Sequence, residues 1–189
     1  IMQLVRLVRD GETVKVSKRT GKAIALNDLL DEISVDAARF FFNAKPDTHL
    51  EFDMGLAVRQ DSENPVYYVQ YAHARICRLI ETLEGDGYAV PAAADIDLGV
   101  LDTEVEYDLI KQLSLLPEEI RLAARDYDPS RINRYLIELA GRFHRFYGSN
   151  KIRGEEPAKL LARLKLADCV RAVLSIGLGI IGVNAPERM

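Results

Sequence analysis

Three lysines and an arginine crowd one short segment near the start of the chain, Lys15-Val16-Ser17-Lys18-Arg19-Thr20-Gly21-Lys22. A basic loop with a glycine pivot, directly after a strand-like run, can close over a triphosphate. Its ammonium groups can then stabilise charge developing on phosphate oxygens. Composition alone favours a plainer reading, a solvated basic turn. A Walker A loop is excluded, because that motif needs a glycine five places before Gly21 and the residue there is Val16.

A second constellation lies in Asn64-Pro65-Val66-Tyr67-Tyr68-Val69-Gln70-Tyr71-Ala72-His73-Ala74-Arg75. At 100° per residue, with Tyr68 at zero, Val66, Val69, Ala72, Ile76, Leu79, Ile80 and Leu83 fall between about 20° and 160°, an apolar stripe facing a core. Tyr68, Tyr71 and Arg75 fall beside it, between about 300° and 360°. Two phenols and a guanidinium in one row suit stacking on unpaired bases and contact with phosphate. Packing at the edge of a helix bundle explains them equally well. His73 falls inside the apolar arc, where a satisfied buried histidine is expected. Two other patterns carry little. Gly177-Leu178-Gly179-Ile180-Ile181-Gly182 matches G-x-G-x-x-G but follows a helical run, with no room for the acidic residue a dinucleotide site needs. His49, Glu51 and Asp53 alternate on a strand-like piece, with no further ligand cluster to complete a metal site.

The elements that must position these groups can be read from period and punctuation. Leu4–Val8 and Thr13–Val16 are β-formers around Asp10-Gly11, which predicts a hairpin over residues 3–17. Asn27 is expected to cap a short helix, and Ser34 or Asp36 a second that Pro46 stops. Residues 49–52 read as a brief extended piece inside a junction at 46–62. From Asn64 onward the pattern is helical. Pro65 opens a helix to about Glu84, and Gly85-Asp86-Gly87 ends it. Thr103, Pro117, Asp128-Pro129 and Pro157 open four more, the third closing at Gly148 and the last fraying around Gly177–Gly179. This gives a small α/β piece followed by a bundle of about five helices, a mainly α fold.

The chain has 189 residues, 48% hydrophobic and 29% charged, which fits an ordinary globular protein. The longest apolar stretch, Ala172 to Val183, is too short to span a bilayer and contains three glycines. Cys77 and Cys169 form no CxxC pair and are expected to stay reduced. The net charge of −4 argues against loose binding to nucleic acid, but the charge is segregated. Residues 1–26 carry +4, residues 27–117 carry −12 and residues 118–171 carry +4. A polyanion could meet the basic zones, and solvated helix faces that happen to segregate account for the same counts.

Lys15-Val16-Ser17-Lys18-Arg19 resembles the KMSKS signature loop of class I aminoacyl-tRNA synthetases, in the KMSKR form of arginyl-tRNA synthetases with valine in the methionine position. The text around it, Leu4-Val5-Arg6-Leu7 ahead, Asp28-Leu29-Leu30-Asp31-Glu32 and Val35-Asp36-Ala37-Ala38-Arg39-Phe40-Phe41-Phe42 behind, resembles the same family. The resemblance extends over nearly the whole chain. It implies that Lys18 stabilises ATP phosphates during amino-acid activation, with Lys15 and Ser17 holding the loop. The valine leaves the lysines intact. The helix from Asn64 resembles the start of the family's helical anticodon-binding domain, which implies that Tyr68, Tyr71 and Arg75 contact the anticodon loop. The end, Pro186-Glu187-Arg188-Met189, resembles the family's usual finish and implies that Met189 reaches the same loop; it also suggests a natural C-terminus and a cut N-terminus.

The resemblance thus implies the end of a catalytic domain over residues 1–54 and an anticodon-binding bundle over 55–189. The expected partners are tRNA for arginine and, in the full-length enzyme, L-arginine and ATP with Mg2+. No resident metal or organic cofactor is expected, and no membrane contact. A cytoplasmic monomer is the expectation. Arg131, Arg134, Arg142, Arg145, Lys151 and Arg153 are candidates for phosphate contact. The family's HIGH signature does not occur in this sequence, so the chain alone is expected to be inactive in arginine activation. The rivals are a non-catalytic RNA-binding paralogue, which would have no use for the lysine loop, and the module of another class I synthetase, such as the cysteinyl type. Lack of clustered Cys/His ligands and the Pro-Glu-Arg-Met ending disfavour the latter.

Overall fold

The computed structural model describes residues 5–9, 11–15, 21, 24–45 and 49–189. A strand β1, Val5–Arg9, pairs antiparallel with a two-residue strand β2, Glu12–Thr13, placing Val8 opposite Thr13. Gly11 takes the left-handed conformation of the turn, with φ 80°. The Val14 amide extends the pairing by donating to the Leu7 carbonyl at 2.9 Å. Leu4, Asp10 and Val16, also expected in the hairpin, lie outside the described residues. On the other side of β1 runs β3, Leu50–Asp53, parallel, with Val5 opposite Leu50. Sequence periodicity predicts the extended piece but not its partner, because a parallel pair needs a crossover and leaves no local turn signal. Helices α1, Leu26–Leu30, and α2, Val35–Ala44, lie in that crossover.

Asn27 does not cap α1. Ala25 holds the N-cap position, and the Asp28 carboxylate, from inside the helix, accepts from the Ala25 amide at 3.0 Å. Ser34 rather than Asp36 caps α2, accepting from the Ala37 amide at 3.1 Å. Phe41 and Phe42 pack α2 onto Phe52 of β3, with ring centroids 5.3 and 5.2 Å apart. Asp53 then caps a one-turn helix α3, Met54–Ala57, inside the expected junction.

The bundle comprises α4 (Pro65–Gly85), α5 (Glu104–Ser114), α6 (Leu116–Asp126), α7 (Ser130–Ser149) and α8 (Pro157–Ile180). Asn64 caps α4 through Val66, and the predicted arc is its inner face, with Val66, Val69, Ala72, Ile76, Leu79 and Leu83 buried and Ile80 half-buried. Two expected helix ends move. Helix α7 passes through Gly148 to Ser149, and α8 stays intact through Gly177 and Gly179 to Ile180. Gly177 is there for close approach: a Cβ on it would lie 2.6 Å from Leu136 Cδ2 of α7. One hydrophobic core runs from Leu29, Phe40 and Phe52 to Leu139, Phe143, Leu164 and Leu174.

A buried ion pair locks the α5 N-terminus to α8. Arg163 Nε lies 2.6 Å from Glu106 Oε1, with the two side chains 5% and 0% exposed. Glu106 Oε2 accepts the Asp102 and Thr103 amides, each at 2.9 Å. Arg163 also donates to Asn150 Oδ1 at 3.1 Å and to the Lys151 carbonyl at 2.5 Å. Burial alone would raise the Glu106 carboxyl, but the Thr103 hydrogen bonds and Arg163 outweigh it and hold it below the ordinary value. The pair therefore contributes stability that is present above the unfolded carboxylate pKa of about 4.3 and is lost as pH falls through the lower folded value. Arg163→Leu is expected to destabilise the fold by about 3–5 kcal/mol in chemical denaturation at neutral pH, because it strands a buried charge. The loss should shrink towards pH 3, where Glu106 protonates in the variant.

Candidate nucleic-acid interface

Helices α4 and α7 lie side by side, and their aromatic residues meet along one seam. The Tyr68 ring is half-buried against His144 of α7, with centroids 4.8 Å apart. Tyr71 is 41% exposed. Tyr67 lies parallel to it at 6.0 Å and 7°, and His144 at 6.0 Å and 28°. The Arg75 guanidinium carbon is 4.2 Å from the Tyr147 centroid and 5.9 Å from that of Tyr71. Among the described residues Arg75 has no carboxylate partner, so its donors remain available while two π faces orient it.

Tyr71, Arg75 and Met189 line one groove of about 570 Å³, together with Arg78, Glu81 and Arg188. Arg78 and Arg188 approach Glu81 at 2.7 and 3.1 Å, and the Arg78 hydrogen bond and charge hold that carboxyl below its ordinary value. Tyr68 stands outside the groove lining. His144, Tyr147, Arg78 and Arg188 are the members that sequence reasoning misses. His144 and Tyr147 lie beside the buried Phe143 and Phe146 on α7, and only the pairing of α7 with α4 shows that they matter.

Five of the six candidate phosphate contacts meet carboxylates. Arg131 forks onto Glu119 at 3.0 and 3.2 Å, and Arg134 reaches Asp128 at 3.3 Å. Arg142 bonds Asp108, which Arg145 approaches at 3.6 Å. Arg153 forks onto Asp86 at 2.6 and 2.9 Å. Lys151 is exposed and, among the described residues, makes no ion pair. In the basic loop Lys15 is exposed. Val16, Ser17, Lys18 and Arg19 lie outside the described residues. His73 is 3% exposed, its Nδ1 2.9 Å from the Pro186 carbonyl, the satisfied buried role expected of it. Glu51 pairs with Arg6 at 3.3 Å and Asp53 caps α3, so neither is gathered with His49 into a metal site.

Burial, and then the charge of Arg75, push the His144 imidazole below its ordinary value, against an opposing hydrogen bond to the Tyr68 backbone. NMR titration should place His144 below the histidine reference of about 6.5. Arg75→Gln should move it part of the way back up; a wild-type titration at or above the reference would contradict this electrostatic picture.

Residues 69–189 match the DALR anticodon binding domain family, and the chain belongs to that family. The relatives are narrower in kind. The chain is 50% identical over its full length to arginine–tRNA ligase of Acetivibrio thermocellus and 52% identical to that of Caldanaerobacter subterraneus subsp. tengcongensis. It covers 34% of each, so it spans about a third of the length of these relatives, and it matches their C-terminal part. The fold superposes on a Campylobacter jejuni crystal structure described as an arginyl-tRNA synthetase, with a TM-score of 0.89 at 34% identity, over 100% of this chain and 40% of that one. Arginyl-tRNA synthetase of Thermus thermophilus shares the fold, with a TM-score of 0.78 at 21% identity, over 97% of this chain and 34% of that one.

Proposed function

We propose that this chain binds the anticodon region of tRNA for arginine, and that within a full-length arginine–tRNA ligase it supplies the loop that handles ATP phosphates. The observation that carries the first half is the groove, where an exposed phenol, a guanidinium with no carboxylate partner among the described residues and a thioether end converge. Tyr71 would stack on an unpaired base, Arg75 would donate to phosphate or a base edge, and Met189 would close the far side. Tyr68 would act from beside the groove, backing the seam against His144. Lys151, and any of the paired arginines released from its carboxylate, would add phosphate contacts. Exchanging an internal ion pair for a phosphate keeps this contribution small and salt-sensitive.

In the full-length enzyme the substrates would be L-arginine and ATP as its Mg2+ complex. Lys18 would stabilise the phosphates, with Lys15, Val16, Ser17 and Arg19 forming the rest of the loop. We assign residues 1–54 to the catalytic end and 55–189 to the anticodon-binding part, in a cytoplasmic monomer. No helix among the described residues is long and apolar enough to cross a membrane.

Titration with arginine-type and other anticodon stem-loops at several salt concentrations tests the binding half. Tyr71→Ala is expected to weaken the arginine-type complex by about 1–3 kcal/mol through lost stacking, and Tyr68→Ala to weaken it through the loosened seam with His144. Unchanged affinity in a folded variant would remove that residue from the site. In the full-length enzyme, Lys18→Ala should slow ATP-dependent activation far more than it weakens RNA binding. Equal losses in both would count against the loop's assigned role.

A further inference from the structure

The last residues of the chain lie across two helices that are far apart in sequence. The Arg39 guanidinium of α2 donates to the Gly182 carbonyl at 2.5 Å. Asp36 Oδ1, one turn earlier on α2, accepts the backbone amide and the side-chain amide of Asn184 at 3.2 and 3.1 Å. Gln70 Nε2 of α4, almost fully buried, bridges Asp36 Oδ2 and the Asn184 carbonyl, both at 2.9 Å. His73 meets the Pro186 carbonyl, and Arg188 reaches Glu81. Polar contacts thus fall at residues 182, 184, 186 and 188.

The burial pattern explains why this polar set matters. Val183 is 4% exposed and is the last fully buried apolar residue; Asn184 and residues 187–189 are exposed. Hydrophobic burial is non-directional, and beyond Val183 it offers little to fix where the chain goes. Hydrogen bonds must therefore set the register of the tail, and a charged acceptor such as Asp36 makes them strong. Gly182 fits the same design: its φ is +70°, and a Cβ there would lie 3.2 Å from Arg39 Nη1.

We infer that Asp36, Gln70 and Asn184 form a clasp that positions Met189 in the groove, which makes Asp36 and Gln70 positioning residues for anticodon recognition although neither lines the groove of Tyr71 and Arg75. This inference rests on the RNA-binding reading of that groove. It adds that the recognition surface is assembled partly from α2, outside the family's matched span of 69–189.

The test is made in the full-length protein with an arginine-type anticodon stem-loop, read by fluorescence titration. Asn184→Ala and Gln70→Leu are each expected to weaken binding about tenfold, the scale of a hydrogen bond to a charged group. Met189→Ala should also weaken it, and Asn184→Ala should add almost nothing in the Met189→Ala background, because both act through one placement. Independently of RNA, carboxypeptidase should release Met189 faster from both clasp variants, with thermal unfolding of Asn184→Ala close to wild type. Full affinity in Asn184→Ala, or a loss that adds to that of Met189→Ala, would overturn the clasp. Tyr71→Ala separates the two readings. If it weakens binding while Asn184→Ala does not, only the clasp fails. If neither does, the groove itself is wrong.

Discussion

Among the described residues the Arg75 guanidinium stands over two phenol rings instead of against a carboxylate, and the rest of the candidate interface is arranged around that fact. A cation held by π faces keeps its hydrogen-bond donors, whereas one forked onto Asp or Glu has already used them. Holding it this way requires Tyr71 from its own helix and Tyr147 from another. The spacing of α4 against α7 must therefore be set accurately. That spacing comes from the core beneath, where Phe143 and Phe146 of α7 are fully buried, as are Val69, Ala72 and Ile76 of α4. The close pass of Gly177 against Leu136 then fixes α8 against α7, and α8 packs on α4 as well.

The contrast with the other arginines shows how a chain of net charge −4 could present the selective cationic site proposed above. Arg131, Arg142 and Arg153 are neutralised by neighbouring carboxylates, and most of the positive zone at residues 118–171 is thereby muted. Diffuse attraction for any polyanion is reduced, and a cation without such a partner among the described residues remains at the aromatic seam. The buried Glu106–Arg163 pair has another use for charge. It satisfies the donors at the start of α5 and ties the 150–155 turn to α8, a structural function with no opening to solvent.

Much of this was legible in the residues. Asn64-Pro65, Thr103 with Glu106, and Pro157 mark their helix starts because capping is local chemistry written within a few positions. The inner arc of α4 follows from period alone. What could not be read is non-local. The parallel partner of β1 lies some forty positions away in the chain, and the capping role taken by Asp28 depends on which of two nearby polar residues reaches the free amide. Glycines at 177 and 179 look like a fray because propensity is a local penalty; packing against Leu136 overrides it. In the interface, the row of Tyr68, Tyr71 and Arg75 is visible on a helical wheel. That Tyr68 turns inward to His144 while Tyr71 stays open depends on α7, and so does the part played by Tyr147.

The continuity of the core across the junction limits how the molecule can be dissected. The family match starts at residue 69, inside α4. A fragment begun there would lack the Asn64 cap and the first turn that it terminates. It would also deprive the buried Asn133 amide of the Phe40 carbonyl it donates to at 2.7 Å, and uncover the flank of α7 that α2 shields. The span of the family match is therefore smaller than the unit of cooperative folding, and excision at residue 69 should yield an aggregation-prone product.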